Sequence, residues 1–127
     1  MTENEIGTLI VESSIAIQRE LGPGLLETVY EMVLCYELTR RGLKVQRQVP
    51  IPIQYQELRF ELGFRADLIV GGKVVVELKS VDQVAAAHRK QVQTCLRLTG
   101  LKLGYLLNFG EALMKDGITR AVNRLQE

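Results

Sequence analysis

Asp67, Glu77 and Lys79 carry the clearest chemistry in this chain, two carboxylates and an amine set into the otherwise apolar stretch FRADLIVGGKVVVELK, residues 64–79. Both halves of the stretch are rich in β-branched residues, and they meet at Gly71-Gly72, which tolerates the positive φ of hairpin turns; a hairpin is expected. Register decides whether the charges act together, because a one-residue slip sends a side chain to the other face of a sheet. A two-residue loop at Gly71-Gly72 would pair Asp67 with Val76. A three-residue loop, Gly71-Gly72-Lys73, pairs Asp67 with Glu77 and leaves Lys79 two residues further along the same face, and this is the register expected.

On such a face the Cβ atoms of opposed residues lie about 4.5–5.5 Å apart, close enough for two carboxylates to share one divalent cation. Without a cation, two like charges opposed on a buried sheet repel, and neither is easily desolvated. Mg²⁺ takes one or two carboxylates, keeps several waters and accepts phosphate oxygens from a substrate; the Leu78 carbonyl is a further oxygen within reach. Such an ion polarises a phosphodiester and lowers the pKa of a bound water, while Lys79 would orient that water or balance charge on the phosphate. The plain alternative is a solvated hairpin face with cross-strand ion pairs. Against it, Glu77 follows Val74-Val75-Val76, the composition of a buried central strand, where an unpaired carboxylate is costly.

The elements around this stretch must position it. At 127 residues, 46% of them hydrophobic, residues 1–127 are expected to form one domain with a proper core. A formal net charge of +1 supplies no global basic field for nucleic acid. Cys35 and Cys95 make no metal-type spacing with the single His88, and reduced thiols in a cytoplasmic protein are the simplest account. No signal peptide and no run of membrane-spanning length is apparent.

In chain order, Ile6, Leu9, Ile10, Ser13, Ile17 and Leu21 recur at helical spacing, and Gly22-Pro23-Gly24 ends that helix. A second helix is expected from about Leu25 to Arg41, with Leu26, Val29, Val33, Tyr36 and Leu38 facing the core. Glu27 and Tyr30 share one side of it. A glutamate in a first turn is already favoured by the helix dipole, so Glu27 alone does not demand a functional role. Residues 43–55 alternate as a strand, and Pro50 and Pro52 place it at a sheet edge. Residues 56–59 form a turn into the next strand, from about Phe60 to Val70. After Lys79, Ser80 or Asp82 would cap a helix from about Gln83 to Thr99, with Val84, Ala87, Val92, Leu96 and Leu98 inward. Residues 101–109 read as a buried strand, and the tail as a short helix or strand.

At this point the residues carry a resemblance. Gly24-Leu25-Leu26-Glu27-Thr28-Val29-Tyr30 matches G-x-x-E-x-x-Y, and with Gly63-Phe64-Arg65-Ala66-Asp67-Leu68 and Val76-Glu77-Leu78-Lys79 the chain resembles the GxxExxY protein family of the PD-(D/E)XK nuclease superfamily. The resemblance implies an α/β (α+β) restriction-endonuclease-like core of helix, three-stranded antiparallel meander, helix and strand, preceded by an extra N-terminal helix. It implies that Asp67 and Glu77 bind Mg²⁺ or Mn²⁺, that Lys79 is catalytic, that Glu27 is a third acid, and that Gln91 matches a Q-x-x-x-Y helix motif. Two positions depart from the pattern: Ala66 stands where the superfamily has proline, and Cys95 where the helix motif has tyrosine. Two functions follow. One is a Mg²⁺- or Mn²⁺-dependent nuclease on DNA, or RNA, gripping a duplex as a homodimer or with a protein partner; the other is a non-catalytic binding or scaffold module on the same fold.

Overall fold

A computed structural model describes residues 1–126. Helix α1, Glu3–Leu21, opens on a reciprocal cap: Thr2 Oγ1 accepts the Glu5 N–H at 3.1 Å and Glu5 Oε1 accepts the Thr2 N–H at 2.9 Å. It stops at Gly22, whose φ of 73° lies in the left-handed region. Helix α2 spans Glu27–Arg40. Its buried face is Tyr30, Glu31, Leu34 and Leu38, so the expected inner stripe is corrected: Leu26, Val29 and Tyr36 are exposed and Val33 is half-buried. The helix is apolar on nearly every side, and spacing does not choose a face. Tyr30 does. Its hydroxyl donates to the Gly22 carbonyl and accepts the Leu25 N–H, and its ring stacks on Phe109 at 4.4 Å between centroids.

The sheet comprises β1 (Val45–Tyr55), β2 (Leu58–Val70), β3 (Val74–Lys79), β4 (Leu103–Asn108) and β5 (Ile118–Val122), ordered β1-β2-β3-β4-β5. The first three form the antiparallel meander. β4 runs parallel to β3, which a hairpin cannot achieve, and α3 (Ala86–Thr99) makes the crossover. β5 returns antiparallel beside β4 after a 3₁₀ turn at Met114–Gly117. β1 is an edge strand, as Pro50 and Pro52 require. The β1–β2 turn is tighter than expected, with Tyr55 already paired to Leu58.

Helix α3 starts three residues later than expected. Ser80 does not cap it, because its hydroxyl donates to the Leu25 carbonyl; the Ala85 N–H is instead received by His88 Nδ1 at 3.1 Å. Its buried residues are Val92, Cys95 and Leu96, while Ala87 and Leu98 are exposed. Two apolar clusters sandwich the sheet. Val74, Val76 and Leu78 of β3 pack with α1 and α2, and Val75 packs with Cys95 and Leu96 of α3.

Candidate metal and active site

The hairpin register brings the two acids together. Val70 pairs with Val74, leaving Gly71, Gly72 and Lys73 in the loop, and Ile69–Val75 and Leu68–Val76 follow. Asp67 and Glu77 stand at the next step, where side chains replace the backbone ladder. Asp67 Oδ2 accepts the Leu78 N–H at 2.9 Å, and Glu77 Oε1 faces the Asp67 N–H at 3.4 Å. Each carboxylate sits where the opposite strand would have received a carbonyl, so the strands separate here and the main chain orients both acids.

Glu77 is only 6% exposed, whereas Asp67 and Lys79 are half-buried. Burial pushes the Glu77 carboxyl up to about 9, reinforced by the charge of Asp67 and a hydrogen bond with it; the Asp67 N–H and Lys79 oppose the shift. The metal-free pair therefore holds a proton at neutral pH. The Lys79 side chain makes no hydrogen bond or ion pair among the described residues, leaving its ammonium free for a ligand. A strand residue's N–H and C=O leave by the same edge, and the Leu78 N–H points to Asp67, so the Leu78 carbonyl also faces the gap. On the other edge, the Lys79 carbonyl accepts the Phe109 N–H at 2.8 Å.

Two opposed carboxylates that must share a proton to be buried, with a carbonyl beside them, fit a hard divalent cation that keeps waters in its remaining positions. The expected third acid does not join them. Among the described residues no three His, Cys, Asp or Glu side chains gather so as to hold a metal ion. Glu27 is exposed at the first position of α2, and its side chain makes no hydrogen bond or ion pair among the described residues. The Ser80–Leu25 bond does set the start of α2 beside the end of β3. The Gln91 side chain is likewise exposed and makes no hydrogen bond among the described residues. One turn on, the Cys95 thiol is buried against Val75 of β3, and burial, then the charge of Glu77, pushes it up to about 12.

Four residues around the site went unread in the sequence. Glu31, buried on α2, accepts Arg47 Nε and Nη2 on Oε2 at 3.1 and 2.8 Å, and Gln48 Nε2 on Oε1 at 2.6 Å; Gln48 Nε2 also reaches Asp67 Oδ1 at 3.4 Å. Asn108, fully buried, holds the Val81 N–H and carbonyl at 3.0 and 2.9 Å and accepts the Gly110 N–H at 3.0 Å, pinning the chain two residues beyond Lys79. Glu31 had one signal: a glutamate one turn after Glu27 in an apolar helix. Ala66, in the proline position, is buried in the α3-side cluster.

A mixed sheet flanked by helices, with Asp67, Glu77 and Lys79 where two strands part, is the restriction-endonuclease-like arrangement. The model of the PD-(D/E)XK nuclease superfamily matches residues 4–121, and the chain belongs to that superfamily. Nucleases of this superfamily act on nucleic acid and generally use divalent metals such as Mg²⁺. No significant match was found among curated proteins or among solved structures. No helix among the described residues is long and apolar enough to cross a membrane.

Proposed function

We propose that this chain is a divalent-metal-dependent nuclease that hydrolyses phosphodiester bonds in DNA, and that it belongs to the GxxExxY group of its superfamily. The observation that carries the reading is buried Glu77 facing half-buried Asp67, with Lys79 unpaired among the described residues beside them. Asp67, Glu77 and the Leu78 carbonyl would hold Mg²⁺ or Mn²⁺, which when bound supplies positive charge to the phosphodiester and a water acidic enough to attack near neutral pH. The chain's own residues do the rest. The Leu78 N–H fixes the Asp67 carboxylate in place. Glu77 gives up the proton it holds in the metal-free pair. Lys79 donates hydrogen bonds to a non-bridging phosphate oxygen, balancing charge as the phosphorus gains its fifth oxygen. Gln91, exposed on α3 one turn before Cys95, offers an amide to the same phosphate. Glu27, at the start of α2, accepts from water or sugar hydroxyls entering the site.

A net charge of +1 leaves a monomer little electrostatic hold on a duplex, so a second copy of the chain completes the reading. A cytoplasmic location goes with it, supported by two cysteines that are both free. Calorimetric titration of Mn²⁺ into the wild type and Asp67→Ala, with plasmid and single-stranded DNA incubated in parallel, tests the activity. Metal binding and cleavage that both vanish in the variant support the nuclease. Metal binding without cleavage of either DNA points to RNA or a missing partner, and no binding at all leaves the scaffold module. Light scattering tests the dimer, and a strict monomer at high concentration counts against it.

A further inference from the structure

The polar residues between α2 and Asp67 have an order that ordinary strand geometry does not produce. Consecutive strand residues point to opposite faces of a sheet, yet Arg47 and Gln48 both bond the same Glu31 carboxylate on α2. The cause is the backbone at Gln48, whose φ of 51° lies in the left-handed region in the middle of β1. Around it the face assignment of β1 changes. Val45 packs with the α1/α2 cluster, whereas Val49 and Ile51 pack on the α3 side. The partner strand changes at the same level: Leu68 and Val70 pack with α1 and α2, but Ala66 and Phe64 pack on the α3 side. Arg47 pairs with Leu68 and Val49 with Ala66, so Gln48 and Asp67 face each other across the switch.

A left-handed conformation strains any residue with a Cβ. Glycine adopts it freely, and asparagine is far commoner there than glutamine. What glutamine adds is reach. Its Nε2 spans from Glu31 Oε1 at 2.6 Å to Asp67 Oδ1 at 3.4 Å. Two acceptor carboxylates fix which end of the amide faces them: the nitrogen donates to both, and an oxygen there would meet only lone pairs. The Arg47 fork occupies the other oxygen of Glu31 and balances its charge, so Glu31 is an anchor rather than a third metal carboxylate.

We infer that Gln48 is a positioning residue of the metal site: held by Glu31 and Arg47, it donates to Asp67 Oδ1 and, together with the Leu78 N–H on Oδ2, sets the plane of the Asp67 carboxylate. Partners of this kind tune a carboxylate ligand without touching the metal. The assignment rests on the metal reading of Asp67 and Glu77.

The test uses Gln48→Asn and Gln48→Gly, both suited to the left-handed backbone and both too short to reach Asp67. Urea melts should show cooperatively folded variants, because relief of the left-handed backbone partly offsets the loss of the Gln48 donor to buried Glu31 Oε1. Mn²⁺ affinity by calorimetry should nevertheless fall on the order of 10- to 100-fold. A second readout needs no metal. In the metal-free variants the Leu78 amide, whose acceptor is Asp67 Oδ2, should exchange with solvent on the order of tenfold faster, while the Val76 amide in the β2–β3 ladder should not change. Wild-type Mn²⁺ affinity in both variants overturns the assignment, and so does unchanged or uniformly changed exchange along β3. If the wild type itself binds no Mn²⁺, the proposed activity fails, and Leu78 exchange alone then decides the role of Gln48.

Discussion

Replacing Glu77 with glutamine should change how stability responds to pH, in a direction the structure dictates. The Glu77 carboxyl rises from an ordinary 4.5 to about 9 in the folded, metal-free chain, first because it is buried and second because Asp67 faces it. Between those values the folded state holds a proton that the unfolded state has released. For a pKa raised on folding, the stability is fully present below about 4.5 and drains away as pH rises toward 9. The slope is about 1.4 kcal/mol per pH unit for one proton. A glutamine at this position would keep the volume and polarity of the protonated acid but cannot ionise. Urea denaturation in EDTA, from pH ~5 to ~9, should therefore show the wild type losing about 1.4 kcal/mol per unit relative to Glu77→Gln, so the variant is the more stable protein at the alkaline end. A companion experiment follows the same proton. Mn²⁺ binding at neutral pH should release about one proton from the wild type, read from the observed enthalpy in buffers of different ionisation heat, and the variant should have none to release there. Parallel stability curves for the two proteins, or metal binding with no proton released, would refute the buried-pair account.

Other perturbations separate support from chemistry. Tyr30→Phe keeps the stack on Phe109 but removes both bonds to the Gly22–Leu25 loop, and should cost about 1–3 kcal/mol in thermal or urea unfolding. Asn108→Ala leaves the Val81 N–H, the Val81 carbonyl and the Gly110 N–H without their partner; we expect a loss of about 3 kcal/mol, with kcat falling because the chain just after Lys79 is no longer pinned. Glu27→Gln should leave metal-free stability within about 0.5 kcal/mol and Mn²⁺ affinity unchanged, since the exposed carboxylate makes no hydrogen bond or ion pair among the described residues; weakened Mn²⁺ binding by calorimetry would place Glu27 among the ligands.

The parts of this protein that were legible in its sequence depend on short-range rules. Helix α1 announced itself by spacing and by the Gly22-Pro23-Gly24 stop, and the edge position of β1 by two prolines that cannot donate to a ladder; Gly71-Gly72 marked the hairpin, and of the two loop lengths it allowed the expected three-residue one is present. The inner face of α2 was only partly legible: Leu38 is buried as expected, but Val29, Met32, Val33 and Tyr36 offer further apolar side chains around the helix. Its choice depends on a long-range stack between Tyr30 and Phe109 that no local period contains. The late start of α3 has the same origin: Ser80 is a good cap by type, but its hydroxyl donates to the Leu25 carbonyl, 55 residues away in the sequence.

Gln48 marks the sharper limit. Period-two reading assumes that each strand keeps its faces from end to end, and by that rule Val45, Val49 and Ile51 belong to one side. One left-handed residue opposite Asp67 divides them between two cores. A glutamine in an alternating polar position gives no sign of this, since nothing in its type favours positive φ. The departure from local preference falls beside half-buried Asp67, which faces buried Glu77. Strain at Gln48 and burial at Glu77 are thus two sides of one construction, in which β1 gives up regular geometry so that a donor from α2's side of the sheet can reach the carboxylate.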